Sequence, residues 1–237
     1  MQFKTVVSSA IAVILAGAVA RAEDNASISG KINFAGDAPK AKKLKMDADP
    51  QCAAMHGDKP ATSEEVIVNA NGTLKNVFVY LKGGVTGTYP KPTTPVTINQ
   101  KGCTYEPHVF GMQAGQMILI KNSDDTLHNI HALPNNNEEF NKGQPAGSAD
   151  LKKTFTKADV MVKFKCDVHP WMFAYITVVD HPYVAVTGKD GTFTIKDVPP
   201  GDYTIVALHR KAALNGVEQK VTVAADGAKA DFTLEAK

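Results

Sequence analysis

Short, largely apolar stretches separated by polar and turn-forming residues follow one another along most of the chain, and none keeps a helical period beyond a turn or two. The segments ASISGKINF, EVIVN, LKNVFVYLK, PVTINQ, QMILIKN, VMVKFKC and FAYITVV are rich in Val, Ile, Phe and Tyr and are bounded by Gly, Pro, Asn or Asp. Such residues suit the pleated, half-buried surface of a sheet. Their spacing predicts an all-β protein built as a sandwich.

After Asp180 comes a second block, VAVTGKDGTFTIKDVPPGDYTIVALH, in which Asp190-Gly191 reads as a hairpin turn and Pro199-Pro200-Gly201 as another. Two more strands, VEQKVTVAA and KADFTLEA, finish it. A block of fewer than about 60 residues buries little by itself, so it is expected to lean on what precedes it.

The first residues break the pattern. Lys4, the apolar run AIAVILAGAVA and the Ala20-Arg21-Ala22 cleavage signal read as a secretory signal peptide over residues 1–22. The run is shorter than the roughly 20 residues a membrane span needs, and no other long apolar run exists. The mature protein is expected to be exported, to the periplasm or an equivalent compartment, with no integral membrane segment after cleavage.

Charge narrows the partners. The whole chain has 26 Lys and Arg against 24 Asp and Glu, and cleavage removes Lys4 and Arg21 and no acid. Near-zero net charge argues against a nucleic-acid partner. The PKAKKLK run reads as a solvated loop.

Export also changes how the three cysteines are read, since thiols in an oxidising compartment pair or hold metals. Cys52 and Cys103 have no cysteine or second soft ligand nearby, and a Cys52–Cys103 disulfide is the simplest pairing. The CAAMH stretch lacks the second thiol of a haem attachment signal. Cys166 is left over, in KFKCDVHPWM.

Strand alternation puts Val160, Val162, Phe164 and Cys166 on one face and Met161, Lys163 and Lys165 on the other, so Cys166 should end its strand pointing to the core. His169 and Met172 follow across a tight loop containing Pro170. A thiolate and a thioether with imidazoles suit copper, in a His₂Cys plane with a weak axial Met, whereas thioether is a poor zinc ligand. The second imidazole comes from KNSDDTLHNIHALP, where alternation separates His128 from His131 only weakly. The plain rival is a buried free thiol beside a core methionine.

The pair of stretches NSDDTLHNIH and CDVHPWM resembles the blue copper proteins, the cupredoxins of the amicyanin/plastocyanin-like kind, and the C-x-x-H-x-x-M spacing is similar to the short loop of amicyanin. The resemblance implies a Greek-key sandwich holding one type 1 copper ion through His128, Cys166 and His169, with Met172 axial. Asn129 falls where the family ties its two ligand loops together, and Asn122 where an asparagine ends the preceding strand. It further implies that His169 reaches the surface beside Trp171 and meets redox partner proteins there. DGTFTIKDVPPGDYTIVALH resembles the carboxypeptidase-regulatory-like, transthyretin-type sandwich domains, a likeness of fold that carries no activity.

The expected division is a signal peptide over 1–22, a cupredoxin-like copper domain with an N-terminal β extension over 23–180, and a regulatory-like β domain over 181–237. The expected function is single-electron carriage between an electron donor and an acceptor, with no catalysis. Two alternatives stay open: copper delivery or storage, and a copper-dependent redox enzyme. The latter usually shows H-x-H pairs, and the former Met- and His-rich tracts, neither of which is present.

Overall fold

The computed structural model describes residues 25–236, so the signal-peptide reading of residues 1–22 lies outside the described residues. Among those described, no helix is long and apolar enough to cross a membrane. The chain is all-β. Its strands are β1 (Ala26–Ala35), β2 (Phe78–Gly83), β3 (Val96–Lys101), β4 (Thr104–Glu106), β5 (Val109–Gln113), β6 (Met117–Asn122), β7 (His128–Leu133), β8 (Phe140–Gln144) and β9 (Leu151–Thr154). They continue with β10 (Asp159–Lys165), β11 (Phe173–Val179), β12 (Val184–Val186), β13 (Thr192–Val198), β14 (Gly201–His209), β15 (Ala213–Val223), β16 (Ala228–Lys229) and β17 (Phe232–Glu235). One short helix, α1 (Pro50–Ala54), lies in the long connection between β1 and β2.

Four sheets make two sandwiches. In the first, β4-β3-β6-β9 faces β5-β11-β10-β7-β8 across a core that includes Ile98, Ile118 and Ile120 from one sheet and Phe110, Ile130, Phe164 and Ile176 from the other. Phe164 sits at its centre, with ring centroids 6.3 Å from Phe110 and 6.1 Å from Phe155. The second sandwich joins β13-β1-β16, with β17 also on β1, to β12-β2-β14-β15. Its core holds Ile28, Ile32, Leu81, Ile195, Ile205 and Phe232.

The expected N-terminal β extension of the copper domain is therefore part of the other sandwich. Ile28 of β1 stands opposite Ile195 of β13, and Ile32 opposite Phe232 of β17. The physical reason is the one that made the C-terminal block look too small to fold alone. Its strands carry apolar side chains that are too few to bury one another alone, and β1 and β2 add Ile28, Ile32, Val79 and Leu81 to that core. Gly30 permits this closeness, because a Cβ there would lie 2.0 Å from the Ala230 carbonyl oxygen. The first sandwich, from Val96 to Val179, is inserted between β2 and β12.

A seam of Phe78, Val109, Met161, Tyr175, Val206 and Leu208 welds the sandwiches. The Phe78 ring packs against Gly111, where a Cβ would meet it at 2.3 Å.

Three local expectations are corrected. EVIVN is not a strand: only Val68 bridges, to Leu74, because a tight turn at Asn69 to Gly72 folds the chain back at once. Asp190-Gly191 does turn the chain, yet β12 and β13 lie in different sheets, so it joins no hairpin. Along β10 a register shift between Asp159 and Val162, with Met161 at φ 52°, exposes Val160 and buries Met161. The extra residue of the bulge inverts the alternation there. From Val162 onward the expected pattern returns, and Cys166 is buried.

At the end of β14, His209 is buried, and its Nδ1 accepts the amides of Lys211 (3.3 Å) and Ala212 (3.1 Å). Burial, then the charge of His108, lowers its pKa from 6.5 to about 4. The unfolded chain thus binds the proton first as pH falls. His209 favours folding fully above about pH 6.5, and this contribution is lost as pH drops toward 4, by about 3 kcal/mol. Denaturant titrations at stepped pH should show that slope in the wild type and a shallower one in His209→Gln.

Candidate metal centre

His128 opens β7, and Cys166 follows directly on the last residue of β10. Because β7 and β10 are hydrogen-bonded neighbours, with Lys165 opposite His131, the start of one strand lies beside the end of the other. The loop to β11 is closed by two backbone bonds, the Met172 amide to the His169 carbonyl (2.9 Å) and the Cys166 amide to the Met172 carbonyl (3.0 Å). That tight return brings His169 back over Cys166.

The three side chains meet in the interior. The donor atoms of His128, Cys166 and His169 all lie within 4.8 Å of one another, and all three residues are buried. His128 Nδ1 is 2.9 Å from His169 Nδ1, and Cys166 Sγ is 3.6 Å from His169 Nδ1. Met172 is 1% exposed and packs in the same apolar cluster as Cys166. The Cys166 thiol donates to Asn129 Oδ1 (3.2 Å), which also accepts the Asp167 amide (2.6 Å), so Asn129 clamps the β7 end to the loop. Asn122, at the end of β6, donates to the carbonyls of Thr126 and Gln144 and steadies the approach to His128.

Both imidazoles turn their other nitrogen to a carboxylate. His128 Nε2 is 2.8 Å from Asp124 Oδ2, and His169 Nε2 is 2.9 Å from Asp49 Oδ2. The disulfide Cys52–Cys103 is formed, and each half-cystine anchors one of these acids. The Cys103 amide donates to Asp124 Oδ2 (2.8 Å) and the Cys52 amide to Asp49 Oδ1 (3.1 Å). Asp49 and Asp124 were not among the residues singled out from the sequence. Asp124 stands four residues before His128 and was within reach of a local reading; Asp49 is 120 residues from His169 and carries no such signal.

These contacts set the protonation. Burial works against a charged His128, but the bonds to Asp124 and Cys166 outweigh it and push its pKa up to about 9. Burial likewise raises the Cys166 thiol, and the bond with His128 and the backbone bonds at Asn129, Val168 and His169 overcome it, leaving the thiol below its ordinary value. The hydrogen bond from His169 holds Asp49 below the ordinary carboxylate range. A low-pKa sulfur next to convergent imidazole nitrogens is what a metal-binding thiolate requires.

The other candidate histidine points elsewhere. His131 pairs with Asp167 (2.9 Å) and Glu139 (2.7 Å) on the outer face of β7. His56 and His181 bond backbone carbonyls of Gly102 and Leu81.

One expectation meets a different geometry. The resemblance has the loop histidine reaching the surface, yet His169 is 3% exposed. The connection carrying α1 lies over it, held by the disulfide and by a cluster of Leu44, Met46, Cys52, Cys103 and Trp171. Trp171 is half-buried, its ring 5.2 Å from that of His169 and its indole nitrogen donating to the Cys103 carbonyl.

Comparison with known proteins adds likeness without membership. Residues 180–235 match the family described as BOS complex subunit NOMO1-like, second beta sandwich domain. No curated protein sequence matches the chain. Among solved structures, a copper-containing nitrite reductase from Thermus scotoductus SA-01 aligns at 22% identity and TM-score 0.34, over 43% of this chain and only 25% of its own. A purple cupredoxin from Nitrosopumilus maritimus aligns at 23% identity and TM-score 0.30, over 35% of this chain and 98% of its own. Amicyanin from Paracoccus versutus aligns at 17% identity and TM-score 0.32, over 42% and 96%.

The disulfide closes a loop across 51 positions, for which the chain-entropy account gives about 4 kcal/mol. Cys52→Ala with Cys103→Ala should lower the unfolding free energy by about that amount in denaturant titrations.

Proposed function

We propose that this chain is an exported type 1 copper protein that carries single electrons between redox partner proteins and is not itself an enzyme. The observation that carries the reading is the buried convergence of two Nδ1 atoms and one thiol sulfur at the ends of adjacent strands, beside a buried methionine. This donor set fits copper by its chemistry: soft sulfur and borderline imidazole, three strong donors and a weak fourth. His128, Cys166 and His169 would hold the ion, with Met172 as the weak neighbour. Copper bound there would supply a one-electron couple.

The protein's own part is to keep the donors still. Asn129 fixes the loop to β7. Asp167 accepts from His131, Asn141 and Lys165 and pins the residue after Cys166. The packed core excludes water from the sulfur. Donors held this way need little rearrangement between two oxidation states, which suits carriage.

Titration with Cu(II) should produce an intense visible band from thiolate-to-copper charge transfer. Cys166→Ser should abolish it, His128→Ala should abolish it, and His131→Ala should leave it. A colourless wild type sinks the reading. Rapid surrender of copper to a chelator during redox cycling would favour delivery, and steady turnover of nitrite or phenols would favour an enzyme. Met172→Leu should keep the colour and raise the reduction potential, read by redox titration.

A further inference from the structure

The carboxylate on the outer edge of His169 comes from outside the sandwich that carries the candidate centre. Asp49 is the N-cap of α1, and its two oxygens do separate work. Oδ1 accepts the amides of Gln51 (3.0 Å) and Cys52 (3.1 Å), while Oδ2 stands 2.9 Å from His169 Nε2. The disulfide begins at Cys52 and holds this turn against the site. Among the described contacts, the other polar atom at His169 Nε2 is Cys52 Sγ at 3.6 Å, and a disulfide sulfur is a weak acceptor.

A neutral imidazole carries its proton on one nitrogen only, and the stronger acceptor selects which. We propose that Asp49 is a positioning residue for the candidate centre: it takes the Nε2–H of His169 and thereby keeps the Nδ1 lone pair turned toward Cys166 and His128. Its charge also strengthens that nitrogen as a ligand, more for a dication than for a monocation. The inference rests on the copper reading for this second effect only. The tautomer is a property of the metal-free protein.

Asp49→Asn tests both in the full, disulfide-bonded chain. Asparagine caps helices as well as aspartate, so folding is retained. Its oxygen stays on the Gln51 and Cys52 amides, which turns the NH₂ group to His169 and makes Nε2 the acceptor. Long-range ¹⁵N–¹H correlation on metal-free protein should show His169 as the Nε2–H form in the wild type and as Nδ1–H in the variant. With copper added, Cu(II) affinity should fall about tenfold or more, and a tenfold fall relative to Cu(I) raises the potential by about 59 mV. A wild-type His169 protonated on Nδ1, or a variant with both tautomer and potential unchanged, overturns the proposal. A wild type with the expected tautomer and no coloured copper complex would sink the copper reading and leave the role of Asp49 on the tautomer standing.

Discussion

The constraint on which the centre depends is the shortage of partners inside a dry core. Buried polar atoms must be hydrogen-bonded or they cost stability, on the order of 1–3 kcal/mol each. For His128 and His169 the outer nitrogens are satisfied by Asp124 and Asp49. The inner nitrogens and the Cys166 sulfur have chiefly one another and Asn129. Three ligand atoms therefore face one point, where a proton satisfies them only pairwise and a metal ion would satisfy all of them at once. The low thiol pKa of Cys166 and the raised pKa of His128 are two faces of that shared satisfaction.

Connectivity explains why an outside segment reaches the site. β1 and β2 are committed to the C-terminal sandwich, and the sandwich that carries the candidate centre is looped out between β2 and β12. The chain from β1 to β2 runs across the inserted sandwich, and its cysteine bonds to Cys103 beside β4. The crossing brings Asp49 over His169 and buries Met46 and Cys52 with Trp171 alongside. The same commitment produces the Phe78–Gly111 seam, so both ends of the inserted unit are tied down.

What could be read from the sequence follows from the range of each interaction. Phe164 stands between Lys163 and Lys165, and strand period alone assigns it to the core, whereas Ile118 and Ile120 lie in the apolar run MILI, whose period does not say which face is buried. The grouping of Cys166, His169 and Met172 is local too, lying within one loop. The partner of that loop was narrowed to His128 or His131, which lie on opposite faces of β7; the face of Ile130 and Ala132 turns to the core and takes His128 with it, leaving His131 outside. Val160 and Met161 defeated the alternation because a bulge is one residue of slippage with no compositional mark. The partners of β1 lie more than 150 residues away, and nothing in ASISGKINF says which sheet will take it. Asp49 was illegible for the same reason: an N-cap aspartate before Pro50 is fully explained by α1, and its second oxygen leaves no trace in sequence.

The covered histidine also alters how partner contact would work under the proposed function. In the resemblance, the surface edge of the loop imidazole touches the partner directly. Here that edge is closed by Asp49 and the disulfide, and the half-buried ring of Trp171 is the nearest aromatic surface to it. Contact would then fall on Trp171 and on the connection that covers it, which exposes Lys43 and Lys45 on either side of Leu44. A partner reading that surface would meet those positive charges as well as the aromatic ring. Salt would then weaken encounter through the lysines while leaving the interior of the centre untouched, because screening acts on exposed charges far more than on buried ones.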